Sequence, residues 1–343
     1  MSGVRTRLTT RWARVAAAGV VTVVLGATAA ACGGDADAAS GGKASGTTDV
    51  TIGAVSNGAA KETVVKVDVV ESIRNEVPKE ILDKGQLVIG AGFLPTGAAP
   101  LGFVGTDQKT LTGSEPDLGR LVAAVLGLEP VHNNATWENL FVGIDSGRTD
   151  VGFSNITDTE QRKLKYDFAC YRQDNLGFEA LASNPWTFDG TAKSLAGKTF
   201  SVGKGTNQEK ILLQWQTELQ AAGQNLEIRY YPDVNSTYLA LTSGKIDAYF
   251  TPNPSIAYHV TQTATTPQPT KSAGTYSGAG ASLQGLICAT TKKDNGLAKP
   301  LADAVNHLIR NGQYTQWLDT WNLANEAIPT SEINPPGLPL SNS

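Results

Sequence analysis

The sequence predicts an α/β fold built as two lobes, and three observations carry that expectation. The chain has 343 residues with 41% hydrophobic content, enough for two compact cores. From residue 87 onward, short apolar runs alternate with stretches of helical period, the β-α-β-α-β order of an α/β sheet. After residue 177 the same alternation starts again. No fixed short period recurs, which excludes a solenoid.

Residues 1–31 stand apart from this pattern. Arg5, Arg7, Arg11 and Arg14 precede an apolar run from Val15 to Ala27 that is short for a bilayer span, and Ala29-Ala30-Ala31 leads into Cys32. This reads as a signal peptide with Cys32 as the first mature residue and the site of lipidation (a palmitate-type anchor). The stretch resembles a bacterial lipobox, although Ala29 stands where leucine is more usual; an ordinary secretory cleavage is the alternative. Residues 32–79 are expected as a flexible tether and lead-in, because positions 33 to about 48 are rich in Gly, Ala, Ser and Asp. With the four leader arginines removed, the 28 Lys and Arg become 24 against 32 Asp and Glu, a net of −8. Nucleic acid and anionic membrane surfaces need a basic partner, so both are excluded. Contact with the membrane is expected through the lipid anchor alone.

The lobes follow in order. Leu87 to Gly90 reads as a buried strand, with a Gly/Pro-rich loop after it that holds Phe93. Pro116 opens a helix whose Leu118, Leu121, Val122 and Val125 recur at i, i+3, i+4 and i+7, and Gly127 stops it. Trp137, Leu140, Phe141 and Ile144 mark a second amphipathic helix, closed by Ser146-Gly147. The strand Asp150 to Phe153 then ends in Ser154-Asn155-Ile156-Thr157, and Arg162 follows in a helical turn. Ligands of α/β sheets sit beyond the carboxyl ends of strands. A hydroxyl-and-amide loop followed by a guanidinium suits a small anion, because arginine grips carboxylate through paired charge-assisted hydrogen bonds.

In the second half, Phe178 to Ala182 and Thr199 to Val202 read as strands. Lys204-Gly205-Thr206-Asn207 turns into a helix carrying Ile211, Leu212, Trp215 and Leu219. Gly205 and Thr206 at that helix start offer backbone N–H groups and a hydroxyl to an anion, or a simple N-cap. Lys245 to Phe250 is a further strand, in which Asp247 is expected to be structural. Residues 261–284 read as loops, Leu286 to Thr290 as a returning strand, and Pro300 to Gly312 and Tyr314 to Trp321 as closing helices.

Taken together, Trp137-x-x-Leu140, Gly147-Arg148-Thr149-Asp150, Asn155, Thr157, Thr159-x-x-Arg162 and Asp167-Phe168 resemble the binding core of extracytoplasmic solute-binding proteins of ABC importers. The similarity is to the polar-amino-acid family and covers roughly residues 80–328. It implies a periplasmic-binding-protein-like (type II) clamp crossed twice by the chain. Lobe 1 would comprise residues 80–176 and 287–328, lobe 2 residues 177–286, with a tail at 329–343 outside both.

The implied ligand is a small carboxylate-bearing solute, foremost a polar amino acid, delivered to a membrane permease by a monomeric lipoprotein. Arg162, Thr157 and Asn155 on lobe 1 and Gly205 and Thr206 on lobe 2 would hold the carboxylate. Trp137 and Phe93 would offer aromatic walls, although Trp137 would serve equally as a core residue of its helix. The family's usual acidic partner for an ammonium is missing: Thr251-Pro252-Asn253-Pro254 stands there, and Gly92 replaces an acid in the first loop. Glu115 and Asp174 are candidate substitutes; otherwise the ligand lacks an α-amine.

Cys170 and Cys288, the thiols left beside Cys32, lie near both crossovers. They are expected either to form a disulfide or to remain separate small core residues. The scattered His132, His259 and His307 lack metal-ligand spacing, and neither metal nor cofactor is expected. No nucleophile elbow or placed histidine base supports an enzyme. A sensory or docking lipoprotein is the stronger alternative on this scaffold, a cyclic-acid dehydratase the weaker.

Overall fold

The computed structural model describes residues 46–340. The leader and Cys32 lie outside the described residues. Within them the chain begins with a hairpin, β1 (Thr47–Ile52) and β2 (Thr63–Asp68), followed by two short helices, α1 (Glu71–Arg74) and α2 (Lys79–Lys84). Then come β3 (Gln86–Ala91), a small hairpin of β4 (Phe103–Val104) and β5 (Leu111–Thr112), α3 (Ser114–Val125), β6 (Glu129–Asn134), α4 (Trp137–Asp145), β7 (Val151–Gly152) and β8 (Tyr166–Gln173). The second lobe holds β9 (Asn175–Leu181), β10 (Thr199–Ser201), α5 (Asn207–Ala221), β11 (Glu227–Arg229), α6 (Val234–Thr242), β12 (Ala248–Pro252), α7 (Asn253–Thr263) and β13 (Thr270–Ser277). The chain returns to the first lobe with β14 (Leu286–Lys292), α8 (Ala298–Arg310) and α9 (Gln313–Thr320).

Each lobe has one five-stranded sheet, ordered β6-β3-β7-β14-β8 in lobe 1 and β11-β10-β12-β9-β13 in lobe 2. In both, four strands run the same way and one runs against them, β14 in lobe 1 and β9 in lobe 2, each of them the strand that enters its lobe from a crossover. The first crossover is Asp174 alone, and the second spans residues 278–285. They are hydrogen-bonded to each other: Asp174 N–H donates to the Gly285 carbonyl (2.7 Å) and Gly278 N–H to the Asp174 carbonyl (2.9 Å). A Cβ on Gly278 would overlap the Asp174 carboxylate, so only glycine allows this approach.

The helix periodicity predicts the lobe 1 core well. Leu118, Leu121, Val122 and Val125 of α3 are buried together with Leu301, Ala304, Val305 and Leu308 of α8, over Leu87 and Ile89 of β3. Lobe 2 is packed with aromatic rings instead. Phe178 stacks on Phe250 (centroids 4.3 Å apart) and meets Phe188, Phe200, Trp186 and Trp215. Asp150 and Asp247 do the same job in the two lobes: each accepts a backbone N–H of a neighbouring strand, from Val88 of β3 (2.9 Å) and Thr199 of β10 (2.8 Å).

Three segments differ from expectation. Residues 46–79 are not all tether: Val50, Ile52, Val65 and Val67 of the β1–β2 hairpin are buried in the lobe 1 core. The alternating Thr63–Asp68 sequence is a half-buried strand, whose period of two is masked by lysine and aspartate on its open face. Residues 261–284 contain β13, a polar edge strand of Thr, Ser and Lys that carries little apolar signal. The tail beyond 328 is docked. Glu332 and Asn334 line the outer edge of β8, with Cys170 N–H donating to the Glu332 carbonyl (3.0 Å) and Phe168 N–H to Asn334 Oδ1 (2.9 Å). Farther on, Leu338 is 1% exposed in the lobe 2 aromatic core, and Lys210 of α5 donates to the Pro339 carbonyl (2.6 Å). The tail thus joins both lobes through extended backbone and side-chain bonds, which leave no periodic trace in sequence. Among the described residues no helix is long and apolar enough to cross a membrane.

Candidate functional site

A cavity of about 590 Å³ lies where the loops at the strand ends of the two lobes face each other. Lobe 1 contributes the Gly92–Gly97 loop, the start of α4 and the loop after β7; lobe 2 contributes the loops after β10 and β11 and the strand β12 itself. Of the residues expected at the site, Phe93, Trp137, Asn155 and Thr206 line this cavity. Arg162, Thr157 and Gly205 do not.

Asn155 is positioned by a buried network that sequence reasoning missed. Its backbone is left-handed (φ 52°), a conformation asparagine tolerates better than most residues. The backbone N–H donates to Glu115 Oε2 (2.7 Å), and Oδ1 accepts from Arg172 Nη2 (2.5 Å). Arg172 also donates to Glu115 Oε1 (3.0 Å) and pairs with Glu326, while Tyr171 Oη bonds to Glu115. Arg172, Glu115 and Glu326 are essentially unexposed. Burial alone would lower the Arg172 guanidinium; the Glu326 and Glu115 carboxylates outweigh that and raise it. The Asn155 Oδ1 and N–H are thus both engaged, and Asn155 borders the cavity.

Thr157 is buried, and its hydroxyl donates to Asp174 Oδ2 (2.7 Å) at the crossover. Burial raises the Asp174 carboxyl to about 7. Glu115 and Asp174, the two candidate partners for an ammonium, are thus both spent on internal contacts, and neither borders the cavity.

Arg162 sits behind Trp137. Its Nη1 donates to the Thr157 carbonyl (2.8 Å), and its guanidinium carbon lies 5.4 Å from the Trp137 ring centroid and 5.5 Å from that of Phe141. Trp137 borders both the main cavity and a smaller depression shared with Arg162, and its indole N–H donates to the Gly205 carbonyl of the other lobe (3.2 Å). Arg162, Gly205 and Thr206 do come together, in an adjoining depression of about 460 Å³ at the N-terminus of α5. Thr206 borders both spaces. Its Oγ1 accepts from Glu209 N–H (3.2 Å) while Glu209 Oε2 accepts from Gly205 N–H (2.6 Å), a variant of the reciprocal capping box.

Among the described residues Arg162 forms no salt bridge. Burial lowers its guanidinium to about 10. Burial and the charge of Arg162 also lower Lys210, one helical turn along α5. The depression thus holds two cations, Arg162 and Lys210, and a helix N-terminus against one carboxylate, Glu209, a surplus of positive charge suited to an anion.

Cys170 and Cys288 are joined in a disulfide between β8 and β14, beside the crossovers. An Asp158 carboxylate oxygen lies within 4.8 Å of both sulfurs, but with the sulfurs bonded to each other the cysteines offer no thiolate to a metal.

The chain is 30% identical to the L-cystine-binding protein TcyJ of Escherichia coli K12 over 71% of its own length and 84% of that protein. It is 24% identical to the arginine-binding protein ArgT of Corynebacterium glutamicum, over 78% of this chain and 84% of the relative. Among solved structures it resembles a putative L-cystine ABC transporter protein of Listeria monocytogenes (TM-score 0.59, 22% identity, 71% of this chain and 99% of that one). It also resembles the substrate-binding protein AbpA of Streptococcus pneumoniae bound to L-arginine (TM-score 0.58, 21% identity, 72% and 98%). These likenesses establish the two-lobed fold. Residues 92–324 match a family whose members bind solutes rather than transform them, and the chain belongs to the bacterial extracellular solute-binding proteins, family 3.

Proposed function

We propose that the chain captures a polar amino acid or a close derivative between its lobes and presents it to the permease of an ABC importer. The observation that carries this reading is Arg162: a half-buried guanidinium with no ionic partner among the described residues, facing the α5 N-terminus across the lobe boundary. A carboxylate there would meet Arg162 from lobe 1 and, by taking the place of the Glu209 carboxylate at the Gly205 N–H, the α5 N-terminus from lobe 2. A ligand touching both lobes stabilises the closed arrangement over the open one, which is how binding signals to a permease. The rest of the ligand would extend past Trp137 into the aromatic cavity, where Asn155 and Phe93 wait. The names of the relatives make L-cystine and L-arginine the first ligands to try.

The test is thermal unfolding of the mature chain with each of these amino acids. A ligand that binds only the folded state stabilises it by about 2.7 kcal/mol at a hundredfold excess over Kd. Arg162→Ala should remove that gain by stripping a charged hydrogen bond worth roughly 1.5–3 kcal/mol. An undiminished shift in Arg162→Ala would sink the carboxylate assignment. Anchoring through Cys32 predicts that Cys32→Ser appears in the medium or keeps its leader; continued fatty-acid labelling of that variant would count against the anchor.

A further inference from the structure

An amino acid brings a cation as well as a carboxylate, and a desolvated ammonium or guanidinium without a counter-charge is costly. Resting on the amino-acid reading above, we infer that Asp233, in the loop between β11 and α6, is the residue that meets the cationic group of the ligand.

The inference proceeds by placing every carboxylate near the site. Gly92 and Pro252, where an acid is absent from the sequence, both line the cavity, so those two positions offer no charge. Glu115 is held by Arg172, Tyr171 and the Asn155 N–H, and Asp174 by Thr157. The carboxylates that do line the cavity are Glu138 and Asp233. Glu138 is exposed on the first turn of α4, where bulk water screens its charge.

Asp233 is half-buried and already oriented. Its Oδ1 accepts from the Ser236 N–H (2.7 Å) as the N-cap of α6, which leaves Oδ2 for a ligand. A carboxylate held in one rotamer by its own helix loses little freedom on binding. Tyr230, Tyr231 and Tyr249 line the cavity with it, and aromatic faces favour a cation over an anion. Trp137 borders both this cavity and the depression that Arg162 lines, so an elongated ligand passing Trp137 would meet one charge in each space. The class this fits is an amino acid with a cation remote from a carboxylate: the guanidinium of arginine or the second ammonium of cystine.

Asp233→Asn is the discriminating variant, because asparagine caps a helix as well as aspartate does and the fold should be unaffected. Affinities of the wild type, Asp233→Asn and Glu138→Gln would be measured by calorimetry for four probes. These are L-cystine, L-arginine, and two cation-free acids of similar length, dithiodipropionate and hexanoate. Whichever amino acid the wild type binds should bind Asp233→Asn roughly 10- to 100-fold more weakly, the worth of one charged hydrogen bond. Glu138→Gln should change it by less than about threefold, within the small range of an exposed pair. The cation-free acids should bind Asp233→Asn as they bind the wild type. An unchanged amino-acid affinity in Asp233→Asn, a loss falling on Glu138→Gln instead, or equal losses for charged and cation-free probes would each overturn the assignment while leaving the carboxylate site standing. Wild-type binding of the acids but of neither amino acid would do the same. Binding of none of the four would overturn the amino-acid reading together with it.

Discussion

Replacing Arg172 by methionine tests whether the buried network, rather than the loop sequence, sets the geometry of Asn155. The guanidinium is shared by Glu115, Glu326 and the Asn155 side chain, all cut off from water or nearly so. Removing the cation from a buried pair costs about 3–5 kcal/mol, because the carboxylates it leaves are uncompensated. At about 2 °C per kcal/mol for a chain of this size, the melting temperature should fall by about 6–10 °C. The penalty should depend on pH in a definite sense. Burial already raises the Glu326 carboxyl above its ordinary value, and Arg172 opposes that rise. Without Arg172 its folded pKa climbs further, so the stability lost is smallest where the acid is protonated and grows as pH rises. Calorimetric unfolding at pH 5 and pH 8 would show the larger deficit at pH 8. Adding Glu115→Gln and Glu326→Gln should recover part of the loss, the non-additivity expected of one network. Ligand affinity should also drop, since Asn155 loses the bond that holds its side chain beside the cavity. A single-variant melting temperature within about 2 °C of wild type at both pH values would refute the reasoning.

Other expectations concern the crossovers and the tail. The Cys170–Cys288 bond closes a loop of 118 residues, and removing it with Cys170→Ser and Cys288→Ser should cost about 2–4 kcal/mol. Intact mass with and without reductant reports whether the bond is present; an unchanged mass would contradict it. Asp174 has its carboxyl raised by burial to about 7, so its contribution is fully present at low pH and is lost as pH rises from about 4 to 7. Asp174→Asn should flatten that part of the stability profile by about 4 kcal/mol, and an unaltered slope would show that Asp174 does not titrate there. Leu338→Ala should destabilise by about 2–5 kcal/mol, as a buried leucine does, although it lies in a stretch without regular structure. Chemical denaturation would check this, and a loss below about 0.5 kcal/mol would mean that the tail is not seated in lobe 2.

What could be read in the sequence was whatever is encoded locally. The i, i+3, i+4, i+7 spacing of α3 and α8, the repeat of Gly-Arg/Lys-x-Asp in each half, and Thr206 before a helix all depend on neighbours a few residues away. The two aspartates of that repeat turn out to tie strands together in both lobes, a structural duty matching what was expected of Asp247. Arg172 was illegible because its partner Glu326 lies 154 residues distant, and nothing in YRQ announces a buried charge. Asp233 carried one local sign, an acid three residues before Ser236 at a helix start, but a capping role gives no hint that the second oxygen faces a cavity. Arg162 stood out in sequence as an arginine following a hydroxyl-and-amide loop, and its role toward an anion is the proposal made above. Its shelter behind Trp137 was not legible, because that depends on the indole reaching Gly205 across the lobe boundary.

The docked tail has a further consequence, for how the protein behaves among its own copies. A sheet's outermost strand presents unpaired N–H and C=O groups on which another chain can build. In the two five-stranded sheets, three of the four outer strands are unattractive templates: β6 carries Glu129 and Pro130, β11 is Glu227-Ile228-Arg229, and β13 is a polar strand with Lys271 and Gly274. The fourth, β8, is different, since Tyr166, Phe168, Ala169, Cys170 and Tyr171 are all buried. Its free edge is the one that Glu332, Ile333 and Asn334 occupy. A chain cut before Glu332 would keep both lobes and uncover the most apolar edge in the molecule, leaving it open to cross-chain sheet growth.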